Sequence, residues 1–455
     1  MNRLAMFAVV GAAFAAQAAV TITDVSARQR WPWNSLVDVD FKINGAEDGQ
    51  RFVIDITAEY AGGDKKLAAR TYFTDPVVDG GSQRVVWDMG ADCPGFCAED
   101  LCVYVTATPF TKTTPVYMVI DLAGGVDAVK YPVRYTRKAP VMHHPDENLQ
   151  AALSDKCRTT ELWLRRIPAA GSLSALTWRK PTAAADNTSF WIKHTKDFYI
   201  AIFETTQQQW YQLTGEWPST FSNETYRAVR PLERFLIKDL RGQWLWPDDK
   251  SITEGSVLKK MRDRTGLNTI DLPTSAQFIY AVTVGETGTN RDFYRYRNEA
   301  GAQYEYTDIA RHNMNSGAKV VVNGVETNLV TSLADLSLGT ACVGTYKPNA
   351  FGLYDMLGNV EELCLDTRLE NSQLKAYYYS KAEDGTYIGI DTPVVDPVGA
   401  PQDYAKEVLG HLRCMTRGGS WSRSTTYCNL WEIISHEITS RSSLKGFRFV
   451  ITCEK

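Results

Sequence analysis

Apolar and polar residues alternate with a period of two over much of the first part of the chain. Residues 37–43 read VDVDFKI, and the same alternation recurs at 103–108 and 116–122. Segments rich in Gly and Asp, such as NGAEDGQ and YAGGDKK, separate these runs. Because successive side chains of a strand point to opposite faces, the pattern predicts several short, half-buried strands. We expect a β-sandwich that serves as an accessory or adhesive module.

The pattern changes in the remainder of the chain, where segments with a helical period join short strands. Thr206 is a predicted N-cap for a helix that Gly215 ends. The segment SVLKKMRDRTG predicts a second helix, which Gly266 closes. A third helix is predicted in LPTSAQFIYAVTVG, where Thr274 and Gln277 have the spacing of a capping box. The stretch FYIAIFETT, just before the first helix, predicts a strand, so this region reads as α+β.

These patterns divide the chain into four parts. The N-terminus, MNRLAMFAVVGAAFAAQAAV, has a basic start, a short apolar stretch and an Ala-Gln-Ala cleavage pattern that ends at Ala18. This pattern is typical of a secretory signal peptide, and the apolar stretch is too short to span a membrane. We therefore predict a signal peptide at 1–18, a β-sandwich at 19–137, a polar linker at 138–153 and a second domain at 154–455. Cleavage would leave a periplasmic, cell-surface or secreted protein.

Composition and charge exclude some classes of partner. The 455 residues are 44% hydrophobic and 22% charged, with a formal net charge of −4. The sequence lacks the clustered Lys and Arg residues that nucleic-acid binding needs, and no other stretch is long and apolar enough for a transmembrane segment. Nine cysteines are present, three of them in CPGFCAEDLC at 93–102. In an oxidising compartment this loop predicts a disulfide, and the odd total leaves at least one cysteine over.

Four stretches of the second domain occur in a recognisable order. They are FYIAIFETTQQQWYQLTG, DLPTSAQFIYA, NAFGLYDMLGNVEELCLD, and RGGSWSRSTTYC followed by KGFRFVI. Together they resemble the formylglycine-generating enzyme family, also called sulfatase-modifying factors, over roughly residues 155–455. The resemblance implies a variant of the C-type lectin-like fold, an irregular α+β domain with little regular structure.

The resemblance also bears on copper chemistry. The family's oxidases convert a cysteine of a sulfatase to formylglycine with oxygen, and they hold copper(I) between two cysteines after RGGS. Thiolates suit this soft ion. The second of these positions matches Cys428, but the first falls on Arg423, whose guanidinium stays protonated and cannot bind a metal. We expect the copper site to be absent, while Cys428 and Ser420 remain candidate catalytic residues.

The RGGS segment supplies the candidate substrate groove. Ser420 matches the serine that lines the groove in the family's oxidases, and Trp421 and Arg423 follow it in the sequence. The alternative for this segment is purely structural. We favour it for Gly418 and Gly419, and for Gly446 and Arg448 of KGFRFVI, which we expect to hold the core turn and strand.

Residues Asn359 and Glu362 of GNVEELCLD match positions with which the family binds calcium. Oxygen ligands from a tight loop suit a hard cation. The family usually has Trp on both sides of this glutamate, whereas Glu361 and Leu363 flank it here. The alternative is that Asn359 caps a turn and Glu362 pairs with an arginine.

Three functions are compatible with these expectations. The first is a divergent exported member of the family whose groove binds a peptide, protein or glycan ligand. The alternative is an oxygen-dependent formylglycine-generating oxidase that acts on a cysteine of a sulfatase-like substrate and uses Cys428 with another thiol. The third is an envelope structural protein in which the β-sandwich does the binding.

Overall fold

A computed structural model describes most of the chain. The described residues are 20–30, 34–98, 100–176, 190–242, 252–285, 305–317, 319–322, 325–328, 338–369, 413–429 and 432–454, with shorter stretches between 373 and 409. The predicted signal peptide at 1–18 lies outside them. The described chain forms two compact units, one up to Ile120 together with Val133–Ala139, the other made of Asp121–Pro132 and the chain from Pro140 onwards.

The first unit consists almost entirely of antiparallel strands. They are β1 (Thr21–Gln29), β2 (Leu36–Asn44), β3 (Arg51–Tyr60), β4 (Lys65–Ala68), β5 (Thr71–Tyr72), β6 (Val77–Asp79), β7 (Gly81–Asp88), β8 (Cys102–Pro109), β9 (Tyr117–Asp121) and β10 (Val133–Thr136), with one short helix, α1 (Met89–Asp92). One sheet has the order β1-β2-β7-β5-β10-β9. In the other, β3 pairs with β4, β6 and β8.

The alternating residues that predict these strands form the core of the first unit. Val39 and Phe41 of β2 lie in one buried cluster with Phe52 and Ile54 of β3 and with Trp87 of β7. The cluster therefore takes apolar side chains from both sheets. The prediction of strands from the period of two is confirmed for β2 and β8, because each buries one row of alternate side chains.

The disulfide predicted for the loop at 93–102 is not formed. All nine cysteines are among the described residues, and no two of them are joined. Apolar contacts hold this loop instead, since Phe96 packs edge-on against Tyr60 with ring centroids 5.0 Å apart. Leu101, next to Cys102, is buried in the core of the unit.

The second unit interleaves short helices with short strands. Its helices are α2 (Leu149–Ala152), α3 (Lys156–Thr159), α4 (Gln207–Thr214), α5 (Ile237–Arg241), α6 (Val257–Thr265), α7 (Ser275–Val282), α8 (Tyr306–Ile309) and α9 (Gln402–Leu409). Its strands are β11 (Glu161–Ile167), β12 (Leu173–Leu176), β13 (Phe190–Lys193), β14 (Phe198–Ala201), β15 (Ile270–Asp271), β16 (Lys319–Val322), β17 (Val325–Asn328), β18 (Glu361–Thr367), β19 (Val394–Val395), β20 (Arg413–Arg417), β21 (Ile434–Glu437), β22 (Lys445–Gly446) and β23 (Val450–Thr452).

Two sheets organise this unit and establish the α+β class. One has the order β11-β14-β23-β15 and the other the order β21-β20-β18-β22. In the second sheet β22 runs parallel to β18, while β20 is antiparallel to both of its neighbours. The segment Asp121–Pro132 belongs to this unit because Tyr131 bonds to Arg264 through its backbone N–H and its hydroxyl.

The three predicted helices are confirmed with their end signals. Thr206 caps α4 and Thr274 caps α7, each in a capping box with the glutamine at the third helical position. Gly215 and Gly266 end α4 and α6 in the left-handed conformation. The strand before α4 is shorter than FYIAIFETT predicts and ends at Ala201. Among the described residues, no helix has the length and apolar character needed to cross a bilayer.

Stability should fall in mild acid because His194 is buried as a neutral imidazole. Its Nε2 lies 2.9 Å from the Ser174 hydroxyl, and burial lowers its pKa to about 4, although the nearby charge of Asp396 raises it. The unfolded chain binds this proton at its ordinary pKa of about 6.5, so unfolding takes up a proton between the two values. Stability is therefore lost as the pH falls through this window, by up to about 3 kcal/mol from this group.

Urea unfolding at pH 7.5 and pH 4.5 checks this expectation. The decrease between the two pH values should be smaller in His194→Gln, which has no proton to take up. An equal decrease in both proteins would contradict it.

Candidate functional site

The sheet β21-β20-β18-β22 brings together the segments that the sequence singles out. GNVEELCLD runs into β18, and RGGSWS leaves the end of β20. In the ladder, Glu362 pairs with Arg417, and on the other side of β20 Cys414 pairs with His436 of β21. Three stretches that are distant in sequence therefore meet in this sheet.

The two glycines of RGGS permit a close approach of backbone to backbone. Gly418 and Gly419 have φ values of +88° and +79°, in the left-handed region that disfavours side chains. A Cβ on Gly419 would lie 2.7 Å from the Cα atom and the Sγ atom of Cys428, and one on Gly418 would lie 2.8 Å from the carbonyl of Met356. This close approach agrees with the prediction that the two glycines hold a turn of the core.

A charged cluster occupies the end of the sheet where RGGS turns away. The carboxylate of Glu361 is fully buried and accepts a hydrogen bond of 2.8 Å from Nε of Arg423 on one oxygen. Nε2 of His436 lies 2.5 Å from its other oxygen. The hydroxyls of Ser420 and Thr416 each lie 3.3 Å from one of the two oxygens. We call Glu361, Arg423 and His436 the charged cluster.

Glu361 is held in its ionised form by its partners. Burial by itself raises the pKa of this carboxyl, but the hydrogen bonds and charges of His436 and Arg423 outweigh that effect and leave the pKa below its ordinary value. The carboxylate thus accepts hydrogen bonds from two basic side chains. Of these, Arg423 keeps 35% of its side chain exposed and His436 keeps 12%.

Two of the three candidate groove residues belong to the core. Ser420 is fully buried, and its hydroxyl lies 3.3 Å from the carboxylate of Glu361. Trp421 is buried, donates its indole N–H to the carbonyl of Ser443 at 3.0 Å and packs edge-on against Phe221. Arg423 is the candidate that reaches solvent.

Cys428 is buried beneath the turn, with its thiol protonated at neutral pH. Its Sγ lies 3.6 Å from the carbonyl of Ser420, and burial raises the pKa of the thiol to about 12. A copper ligand must be a thiolate. Within the part of the chain that the structure describes, no group of three or more His, Cys, Asp or Glu side chains is arranged to hold a metal ion.

Comparison with known proteins identifies the family of the second unit. The family model described as "Sulfatase-modifying factor enzyme 1-like domain" matches residues 182–453, which is more than half of the chain. The chain belongs to this family. The resemblance drawn from the four sequence stretches is confirmed by this match.

Two curated relatives match a shorter part of the chain. The "Chaperone protein LppX" of Paenibacillus barcinonensis is 28% identical over 183 residues, covering 37% of this chain and 61% of the relative. The "Formylglycine-generating enzyme" of Streptomyces coelicolor is 30% identical over 175 residues, covering 38% of this chain and 43% of the relative. The chain therefore matches less than two thirds of the length of either relative.

Solved structures show more distant likenesses. "Treponema denticola variable protein 1" shares 20% identity with a TM-score of 0.40, covering 64% of this chain and 95% of that one. The "Structure of PvdO from Pseudomonas aeruginosa" shares 15% identity with a TM-score of 0.39, covering 64% and 94% of the two chains.

The residues at the family's copper positions do not fit a copper site. Arg423 stands at the first position, and its Nε is bonded to Glu361. A guanidinium has five donors and no lone pair for a metal. Cys428, at the second position, is a buried thiol whose raised pKa opposes thiolate formation.

The calcium positions of this sulfatase-modifying factor domain do not fit a calcium site either. Both carboxylate oxygens of Glu362 accept from the guanidinium of Arg448, each at 2.5 Å, and both side chains are fully buried. Oδ1 of Asn359 accepts the N–H of Ala341 at 2.9 Å, and its Nδ2 donates to Glu204 at 2.6 Å. The side-chain oxygens of both candidate ligands are already used, and the contacts of Glu362 are those of the pairing interpretation.

Glu361 and His436 are the site residues that the sequence reasoning did not select. In the sequence, Glu361 stands where the family pattern has a tryptophan, and Arg423 stands where it has a copper-binding cysteine. The two departures have opposite charges, and this complementarity is the signal that connects them. His436 has no such signal, since β21 brings it to the cluster.

A separate cavity of about 300 Å³ lies elsewhere in the second unit. Its lining includes His194, Lys196, Asp271, Gln277 and Val398. Neither the predicted site residues nor the charged cluster contribute to it.

Glu362 should behave as a structural residue and not as a calcium ligand. Glu362→Gln leaves the buried guanidinium of Arg448 without its charge partner and should lower the free energy of unfolding by about 3 to 5 kcal/mol. Glu254→Gln, at an exposed pair with Lys259, should cost at most about 1 kcal/mol. Urea unfolding followed by tryptophan fluorescence measures both.

The same measurement with calcium separates the two roles. Millimolar calcium or a chelator should leave the wild-type unfolding midpoint unchanged. A calcium-dependent rise that Glu362→Gln abolishes would contradict the structural role.

Proposed function

We propose that this chain is an exported, non-oxidase member of the sulfatase-modifying factor family that binds a peptide, protein or glycan ligand. The observation that carries the proposal is the ion pair between Arg423 and Glu361. It replaces one copper cysteine and one flanking tryptophan of the family with two charges that neutralise each other. Such a site is suited to recognition rather than to the transfer of electrons.

The two departures from the family pattern depend on each other physically. A carboxylate as buried as that of Glu361 is strongly destabilising without partners, because its desolvation is not compensated. Arg423 and His436 supply that compensation from two different segments. Glu361 alone would be an uncompensated buried charge, whereas the cluster as a whole is satisfied.

The comparisons and the sequence support the binding role and the location. One relative carries the name chaperone protein, which supports a binding role for this chain. The N-terminal pattern of the sequence supports export through a signal peptide. In this proposal the first unit is a β-sandwich accessory domain and the second has the C-type lectin-like fold of the family.

Copper(I) titration of the full chain under anaerobic conditions tests the proposal. We expect no stoichiometric, tight binding in the wild type and no difference in Cys428→Ser, because a protonated thiol beside a guanidinium does not hold the ion. Oxygen consumption with a cysteine-containing peptide should stay at the level of the copper-only control.

A matched gain-of-function variant makes a negative result informative. The double substitution Arg423→Cys with Glu361→Trp restores the family pattern at both positions and should bind one copper(I) per chain. Tight copper binding by the wild type, lost in Cys428→Ser, would overturn the proposal in favour of the oxidase.

A further inference from the structure

Arg423 uses fewer of its hydrogen-bond donors than the fully buried Arg448 does. Arg448 donates from all three of its nitrogens, to Glu362, Ala201 and Tyr354, and is fully buried. Arg423 donates from Nε to Glu361. Among the described residues, neither of its terminal nitrogens has a hydrogen-bond partner, and 35% of the side chain is exposed. Its outer edge is therefore available to a ligand.

The guanidinium is held in place before any ligand arrives. Its Nε is anchored by Glu361, its backbone N–H donates to Ser420 at 2.9 Å, and its carbonyl accepts from Asn313 at 2.9 Å. Tyr427 lies with its ring centroid 5.8 Å from the guanidinium carbon. Binding to a pre-organised arginine loses less side-chain entropy than binding to a free one.

His436 supplies a second polar edge next to the first. Its Nε2 is used by Glu361, and its Nδ1 has no hydrogen-bond partner in the described part of the chain. The two basic side chains bond to different oxygens of the same carboxylate, which places the imidazole and the guanidinium at one carboxylate group.

The charge of the surroundings favours an anion with a single charge. Lys445 pairs with Glu361 in the ladder of β18 and β22, and its Nζ donates to the carbonyl of Ser440 at 2.9 Å. Burial lowers the pKa of Lys445, although the charges of Cys414 and Glu361 raise it. Arg423 and Lys445 are thus two basic side chains near one internal carboxylate. The planar fork of a guanidinium binds a carboxylate through two parallel hydrogen bonds. Arg423 and Lys445 together exceed the charge of Glu361 by one positive charge. A doubly charged tetrahedral anion would bring more negative charge towards Glu361 than this one positive charge balances.

We propose that Arg423 and His436 form a binding site for a carboxylate group of the ligand, at the position where the family holds copper. Arg423 bonds the carboxylate through its two terminal nitrogens, and His436 contacts a neighbouring polar atom of the ligand. This inference rests on the proposed binding function and names the chemical class that the site recognises. An acidic peptide side chain and an acidic sugar both carry this group.

Isothermal titration of the full chain with defined carboxylates tests the site. The probes are a blocked glutamate peptide and a methyl glucuronide, with the blocked glutamine peptide and methyl glucoside as uncharged counterparts. We expect saturable binding of at least one charged probe and none of its uncharged counterpart. The probe that binds identifies the source of the carboxylate as peptide or sugar. Raising the salt concentration should weaken binding, because the partly exposed pair is screened.

Substitutions at Arg423 locate the interaction. Arg423→Gln should weaken binding of the charged probe by about tenfold or more, since the charged, bidentate contact is lost. Arg423→Lys keeps the charge but not the fork and should give an intermediate loss. Arg28→Gln, at a 65% exposed arginine of the first unit, is the matched control and should bind as the wild type does. Near-ultraviolet circular dichroism confirms that each variant is folded.

Several outcomes would overturn the site. The site is ruled out if neither the glutamate peptide nor the glucuronide binds at millimolar concentration. It is also ruled out if Arg423→Gln binds the charged probe as tightly as the wild type does. Binding of sulfate or phosphate in place of carboxylates, lost in Arg423→Gln, would overturn the assigned class. The copper titration distinguishes these failures from failure of the proposed function. A chain that binds neither copper nor carboxylates remains a non-oxidase with its ligand site elsewhere.

Discussion

The buried pair of Arg448 and Glu362 is the interaction on which the second unit depends most. A guanidinium that is fully buried must have its donors satisfied by the protein itself. Arg448 meets this requirement with both oxygens of Glu362 and with the carbonyls of Ala201 and Tyr354. These partners lie on β18, on β14 and in the loop before β18, so one side chain joins the two sheets of the unit. Glu361 of the charged cluster is the residue next to Glu362 at the start of β18.

Two adjacent glutamates of β18 have different roles because they lie on opposite faces of the strand. Successive residues of a strand point to opposite sides. Glu362 points to Arg448 and holds the core, while Glu361 points to Arg423 and His436 and forms the charged cluster. The family pattern predicts that Glu362 is a metal ligand. The neighbouring Glu361 is the residue that departs from the tryptophan of the family pattern.

The charged cluster lies beside the turn that RGGS forms. The glycines of RGGS bring the turn against Cys428, and Ser420 and Trp421 are buried where the turn enters the core. A guanidinium and a carboxylate stand at the positions where the family resemblance places a cysteine and a tryptophan. Their pairing compensates a carboxylate that is fully buried.

The sequence by itself determined the local structure and the family. Thr206 and Thr274 define helix starts, and Gly215 and Gly266 define helix ends, because caps act through backbone groups a few residues away. Alternation along β2 likewise determined its buried face. The motif order identified the family, since it depends on the order of short segments along the chain.

Tertiary structure alone decided which side chains meet. The ion pair of Glu361 with Arg423 spans 62 residues of sequence, and the contact of Glu361 with His436 spans 75. Neither contact leaves a periodic pattern along the chain, because it depends on the register of neighbouring strands. The same holds for Glu362, whose oxygens suit a cation or an arginine equally well in the sequence. Whether the cysteines pair is also decided in three dimensions, because a disulfide needs two Cβ atoms at a specific distance and angle.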